Sequence, residues 1–193
     1  LKLKWEESAQ TNIGLDVSML DNKINLTIDA YVKNTKDLLL NAPLPTSSGF
    51  NNAIQNIGEL QNKGLEFSVN TINIDKENLK WNTNFNISFN ENEVINLVGQ
   101  ELFQGSIAGG RGEASLVREG ESLGVLYGYI FGGVDPQTGN SYYVDKDGNS
   151  TFTPTSEDRT IIGDANADFI YGFSNSISYK GINLSILLEG FHL

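Results

Sequence analysis

Over long stretches of this chain apolar and polar residues alternate one for one. From Trp81 to Asn90, the residues Trp81, Thr83, Phe85, Ile87 and Phe89 hold one phase while Asn82, Asn84, Asn86, Ser88 and Asn90 hold the other. Successive strand side chains project to opposite faces, so a period of two predicts a strand with one apolar and one amide-rich face. Ile13, Leu15, Val17 and Met19 alternate in the same way with Asn12, Gly14, Asp16 and Ser18. Ile24, Leu26, Ile28, Ala30 and Val32 oppose Asn25, Thr27, Asp29 and Tyr31, and Leu65, Phe67 and Val69 oppose Glu66, Ser68 and Asn70. Phe169, Tyr171, Phe173, Ile177 and Tyr179 alternate with Gly172, Ser174, Ser176 and Ser178. Ile182, Leu184, Ile186 and Leu188 then face away from Asn183, Ser185 and Glu189. A weaker alternation through Leu123, Val125, Tyr127, Tyr129 and Phe131 marks a further strand. No stretch keeps a helical period over three turns. The expected fold is all-β, an antiparallel sheet of long strands.

The connections between these strands are lopsided. Strands and hairpins are expected over 11–35, 60–98 and 169–191, with tight turns at "DNK" after Leu20, "IDKEN" after Asn73 and "KG" after Tyr179. At the other ends the connections are long, 36–59 and 99–168, the second with short strands of its own. Loops beyond about 12 to 15 residues are uncommon in compact domains unless they are functional. Short turns at one end, long loops at the other, and strands of the ~9 to 11 residues that cross a bilayer at a tilt are the build of outer-membrane barrels. Tyr31, Trp81, Phe89, Tyr171 and Tyr179 sit toward strand ends, where an interfacial girdle places its aromatics. The alternative is a soluble β-sandwich, a carbohydrate-binding or adhesion module at a cell surface, whose apolar face covers a core. Turn asymmetry and strand length favour lipid.

Composition narrows the partners. The net charge of −11 over 193 residues argues against nucleic acid, which needs clustered Lys and Arg. The absence of Cys excludes a disulfide scaffold and thiol chemistry. No apolar run reaches the ~18 residues of a membrane-spanning helix, which leaves half-apolar barrel strands untouched. The opening "LKLKWEE" lacks the apolar core of a secretory signal, so the chain is expected to be either cytoplasmic or missing its beginning.

Specific residues then point to a family. The run from Thr35 to Val69, with Asn56-Ile57-Gly58 and Asn62-Lys63-Gly64-Leu65-Glu66, is followed by Gly128-Tyr129 and by Asp158-Arg159-Thr160-Ile161-Ile162-Gly163. In this order they resemble the C-terminal barrel region of the SusC/RagA-type TonB-linked outer-membrane transporters of Bacteroidetes. One departure is Asp164-Ala165-Asn166-Ala167-Asp168, where relatives often carry prolines that pre-set the turn. The resemblance implies residues 1–193 as part of a barrel of about 22 strands, with loops 36–59 and 99–168 external. The family's signal peptide, plug and final strands have no counterpart here. The resemblance further implies import of oligosaccharides or peptides, a SusD-like surface lipoprotein as lid, contact with the TonB complex through the plug, and an outer-membrane location. Six clear strands and one or two in the insert cannot close such a barrel. The isolated sheet is therefore expected to fold over on itself or to pair with another copy through its edges and apolar face.

Candidate chemistry is sparse. Phe50, Phe103, Tyr142 and Tyr143 lie in the expected external loops and could stack on sugars or meet a partner, or could serve ordinary loop packing. Asp145, Asp147 and Asn149 place oxygens at alternate positions, like the start of a calcium loop, but the glycine comes at the fourth position and Ser156 stands at the twelfth. A hairpin turn explains the same residues. His192 is the only histidine, and the paired carboxylates Glu6-Glu7, Glu91/Glu93 and Glu157-Asp158 lack a fixed geometry for acid–base work. No enzyme is expected, and no cofactor beyond that calcium.

Overall fold

Tight turns organise the main sheet. Residues 3–99, 101–106 and 113–193 are described by the computed structural model. Strand β1 (Glu7–Met19) reverses into β2 (Ile24–Pro43) through Leu20, Asp21 and Asn22, all at positive φ, a region that Asp and Asn visit most readily among non-glycine residues. After residues 44–51 comes β3 (Asn52–Lys76), which meets β4 (Leu79–Asn96) across Glu77 and Asn78 alone. The chain then leaves the sheet for an arm of short strands: β5 (Leu102–Ser106), β6 (Glu113–Val117), β7 (Val125–Val134), β8 (Ser141–Val144), β9 (Ser150–Thr151) and β10 (Arg159–Asp164). It returns as β11 (Phe169–Tyr179), which turns through Lys180 and Gly181 (φ 46° and 87°) into β12 (Ile182–His192). Two residues at positive φ are the signature of a type I′ hairpin.

The main sheet is antiparallel throughout, in the order β1-β2-β3-β4-β11-β12. Its tight turns all lie at one end, and the connections 44–51 and 97–168 at the other, the arm end. In the arm the order is β5-β6-β7-β8-β9, with β10 also on β7. The sheet is an open arc, not a closed barrel.

Three expectations need correction. The connection 36–59 is mostly strand, because β2 continues to Pro43 and β3 starts at Asn52, leaving 44–51 as the loop. The turn after Asn73 is not "IDKEN" but the pair Glu77 and Asn78, since β3 absorbs Asn73 in a bulge between Ile72 and Ile74. The sheet does not fold over on itself: each strand pairs only with its neighbours, and among the described residues no second layer covers the apolar face.

The buried core sits at the arm junction. Val94, Leu97, Leu102 and Val117 are at most 3% exposed and pack with Leu40, Ile57 and Leu60. Glu119 ties this junction by accepting the backbone amides of Leu97 (2.6 Å) and Gly99 (3.3 Å), and those bonds hold its carboxyl below the ordinary value.

Candidate functional site

Between the bulges near Leu38, Glu59 and Asn73 one register runs across all six strands of the main sheet, so there each row of cross-strand neighbours can be read from β1 to β12. Val17, Leu26, Val69, Phe85, Phe173 and Leu188 form one row; Leu15, Ile28, Phe67, Ile87, Tyr171 and Gly190 form the next on the same face. Between them, on the opposite face, run Asp16, Thr27, Ser68, Asn86, Gly172 and Glu189. A slip of one residue at any hairpin would mix the faces. Between these bulges none occurs, so the alternation seen in single strands becomes a wall with one apolar and one hydrated surface.

The polar surface is knit by its own side chains. Ser18 donates to Asn25 (2.7 Å), Thr27 to Asp16 (2.7 Å), Asn92 to Asn62 (2.8 Å), and Asn84 to Asn70. A shallow pocket of about 270 Å³ opens between Asn25, Asn70, Asn82, Asn84, Ser174 and Ser176. The Tyr31 ring lies flat over Gly64, where an added Cβ would come within 2.5 Å of it, and its hydroxyl donates to Asn90 (2.8 Å). Toward the arm this surface turns apolar at Val94, itself part of the buried core, and at Leu60, which packs against that core.

The apolar surface carries one polar island near the turn end. Asn175 accepts from the Trp81 indole N–H and from the Thr83 hydroxyl, both at 2.8 Å. Asn73 donates to Thr83 (2.6 Å) and accepts from Thr71 (2.9 Å). These residues bond to one another across three strands of the sheet.

The aromatic candidates do not converge. Phe50 projects from the 44–51 loop and is 70% exposed. Tyr143 lies half-buried with its ring edge-on to Tyr129 (5.9 Å) and near Phe131 (6.2 Å). Tyr142 covers Gly132 and Gly133 on the other side and meets Phe152 at 6.1 Å. Phe103 lies in β5 opposite Leu116, and its side chain falls outside the described residues. The most exposed aromatics of the arm among the described residues are Phe131, at 60%, and Phe152, at 55%. Composition alone missed the exposure of Phe131, which sits beside the bulge at Gly132 and Gly133.

The calcium-like segment is organised as a turn. Asp145 Oδ1 accepts the backbone amides of Asp147 (2.9 Å) and Asn149 (2.8 Å). A cation is already present nearby: Lys146 Nζ reaches Glu157 at 2.6 Å. Asp158 accepts the backbone amides of Thr155 and Lys146, which lower its carboxyl pKa. Among the described residues no three His, Cys, Asp or Glu side chains are grouped to hold a metal.

Comparison with known proteins gives this architecture its setting. Residues 2–184 match the family described as TonB dependent receptor-like, beta-barrel. A TonB-dependent receptor of Formosa agariphila is 40% identical over 205 residues, an alignment covering 97% of this chain and 20% of the relative. TonB-dependent receptor SusC of Bacteroides thetaiotaomicron is 32% identical over 197 residues, covering 97% of this chain and 19% of SusC. The solved structure of the RagAB peptide transporter superposes with a TM-score of 0.82 at 26% identity, over 96% of this chain and 21% of that one. The chain thus spans about a fifth of the length of the proteins it matches. The family is one of outer-membrane receptor barrels, not of enzymes. With nearly every residue inside the match and six antiparallel strands in one arc, the chain belongs to the TonB dependent receptor-like beta-barrel family.

Proposed function

We propose that this chain is a stretch of pore wall in an outer-membrane nutrient importer driven through TonB. The observation that carries the reading is the phase coherence of the sheet: six strands present apolar rows to one side and amide, hydroxyl and carboxylate rows to the other. Lipid suits the first surface, since burying apolar area stabilises at about 25 cal/mol per Å². A wet lumen suits the second, where Asn, Ser and Thr can exchange hydrogen bonds with passing oligosaccharides or peptides. With β2 and β3 at 20 and 25 residues, about twice the ~9 to 11 that cross a bilayer, the wall also stands well above the membrane on the arm side.

That tall side and its arm are where a SusD-like surface lipoprotein and the cargo would meet the barrel, with exposed Phe50 and Phe131 as contacts. Uptake of a panel of oligosaccharides and peptides by cells carrying the full-length parent protein tests the reading, alongside membrane fractionation. Outer-membrane recovery is expected, with uptake of at least one panel member that a Phe50→Ser/Phe131→Ser double variant reduces. Recovery in the aqueous fraction would refute it.

A further inference from the structure

The polar wall carries one aromatic ring that lies flat on it. Tyr31 in β2 pairs with Gly64 in β3, which pairs in turn with Asn90 in β4. The missing Cβ at Gly64 lets the ring settle onto β3, and the bond from its hydroxyl to Asn90 fixes it there. One face of the ring meets the sheet, so the other looks away from it on the polar side. Along β3 the ring is flanked by Asn62 toward the arm and Glu66 toward the turns. Glu66 is exposed, has no hydrogen bond or ion pair among the described residues, and stands opposite a second carboxylate, Asp29. Like charges directly opposite one another destabilise a sheet, so packing gives no reason for the pair. Beside them, on the turn side of the ring, opens a hollow of about 210 Å³ lined by Asp29, Glu66, Ser68, Asn86 and Ser88. On the other face the next row toward the arm brings Lys63 against Glu91 at 2.9 Å. The apolar belt ends there, and the ring stands level with its arm-side rim.

Resting on the reading of this face as a wet lumen, we infer that Tyr31, Glu66 and the hollow beside them form a binding subsite for a pyranose ring of an oligosaccharide. A pyranose has a flat face of C–H bonds and a rim of hydroxyls. Its C–H face lies on the open face of Tyr31, where the negative π cloud attracts the slightly positive hydrogens. Rim hydroxyls donate to Glu66 on one side. On the other they accept from the amide of Asn62, whose oxygen already takes the bond from Asn92. The adjoining sugar extends into the hollow against Ser68, Asn86 and Ser88. An extended peptide backbone has no flat C–H face to lay on the ring. Nor can the ring turn edge-on to grip a side chain without giving up Asn90 and its bed on Gly64.

The test is calorimetric titration of the full-length parent protein in detergent with neutral and acidic oligosaccharides and with oligopeptides of matching length. At least one oligosaccharide should bind, and more tightly than any peptide. Tyr31→Leu should weaken that binding about tenfold through loss of the aromatic face, while Tyr31→Phe keeps the ring and should keep most of the affinity. Glu66→Ala should also weaken it about tenfold by removing a charged acceptor. That variant deletes an exposed side chain and relieves the carboxylate opposite, so it leaves the strands intact and keeps the inference open to refutation if Tyr31→Leu does not fold. Failure of every oligosaccharide to bind, tighter binding of a peptide, or an affinity unchanged in Tyr31→Leu or in Glu66→Ala would overturn the inference while leaving the importer reading intact. A parent protein recovered in the aqueous fraction would overturn both.

Discussion

At the scale of single residues, the sheet's least ordinary feature is a tyrosine lying across a glycine. Tyr31 covers Gly64 and reaches Asn90, spanning three strands from one side chain. Gly64 is thus needed for the space above it, not for an unusual backbone angle. Tyr31→Phe removes one hydrogen bond and should cost the barrel about 1 kcal/mol. Gly64→Ala should cost more, because the ring must swing away and loses both its bed and Asn90. Denaturant unfolding of the intact barrel in detergent compares the two; Gly64→Ala no worse than Tyr31→Phe would sink this account. The arm has its own residue-level lever in Asp158. Its pKa is lowered first by the Thr155 amide, then by the Lys146 amide, so its contribution is present above the unfolded carboxylate range and is lost as pH falls through the lowered folded value. Amide exchange at Lys146 and Thr155, corrected for intrinsic rates, should quicken between pH 6 and pH 3, and Asp158→Asn should remove most of that dependence. Asp145 takes the neighbouring amides at 2.9 and 2.8 Å, so calorimetric titration with calcium is expected to give no heat, in the native chain and in Asp147→Ala alike.

At the scale of elements, the two faces of β4 make opposite demands. Phe85 stands in an apolar row and Asn84, its neighbour in sequence, in a polar one. Phe85→Arg should destabilise the barrel by ~2 to 4 kcal/mol if that row faces the bilayer midplane, whereas Asn84→Arg should leave stability nearly unchanged. Reversible unfolding of the parent barrel in liposomes measures both, and equal effects would argue that the faces do not meet different solvents. This strand was legible from its alternation alone, as were β1, β11 and β12, because a period of two survives wherever one face is apolar. The ends of β2 and β3 were not. Asp37 sits at φ 56° and the register shifts on both sides of Leu38, so Leu38, Leu39 and Leu40 break the alternation and read as loop. Asn73 hides the continuation of β3 in the same way, through a bulge. The candidate site was legible as a polar face but not as rows, since cross-strand partners such as Lys63 and Glu91, or Thr83 and Asn175, lie 28 and 92 positions apart. Of the arm aromatics, Tyr142 and Tyr143 read as exposed loop residues because nothing in their spacing discloses Phe152, Tyr129 or Phe131 against them.

At the scale of the whole molecule, the arc leaves β1 and β12 as its two edges. Every second backbone N–H and C=O along each edge points away from the sheet, and among the described residues no strand takes them. Natural sheets blunt such edges with charge, proline or cover. β12 does the reverse: Ile182, Leu184, Ile186 and Leu188 line one face, Leu187 and Phe191 the other, and all are between 48% and 73% exposed. A strand that is apolar on both faces and open along one side is a template for a partner strand. The 193-residue chain, taken by itself and refolded without lipid, should therefore sediment as an assembly, not as a monomer. The edge and the face can be separated. Leu187→Lys with Phe191→Lys charges the edge strand on the side away from the apolar rows, and should reduce edge-to-edge pairing while leaving those rows able to associate. Adding detergent micelles covers the face and leaves the edge. The two treatments together should release monomers, and each alone should release fewer. A unimolecular sedimentation coefficient for the untreated chain in plain buffer would show that the sheet satisfies its edges and its apolar surface internally, which its single layer and its register leave no means of doing.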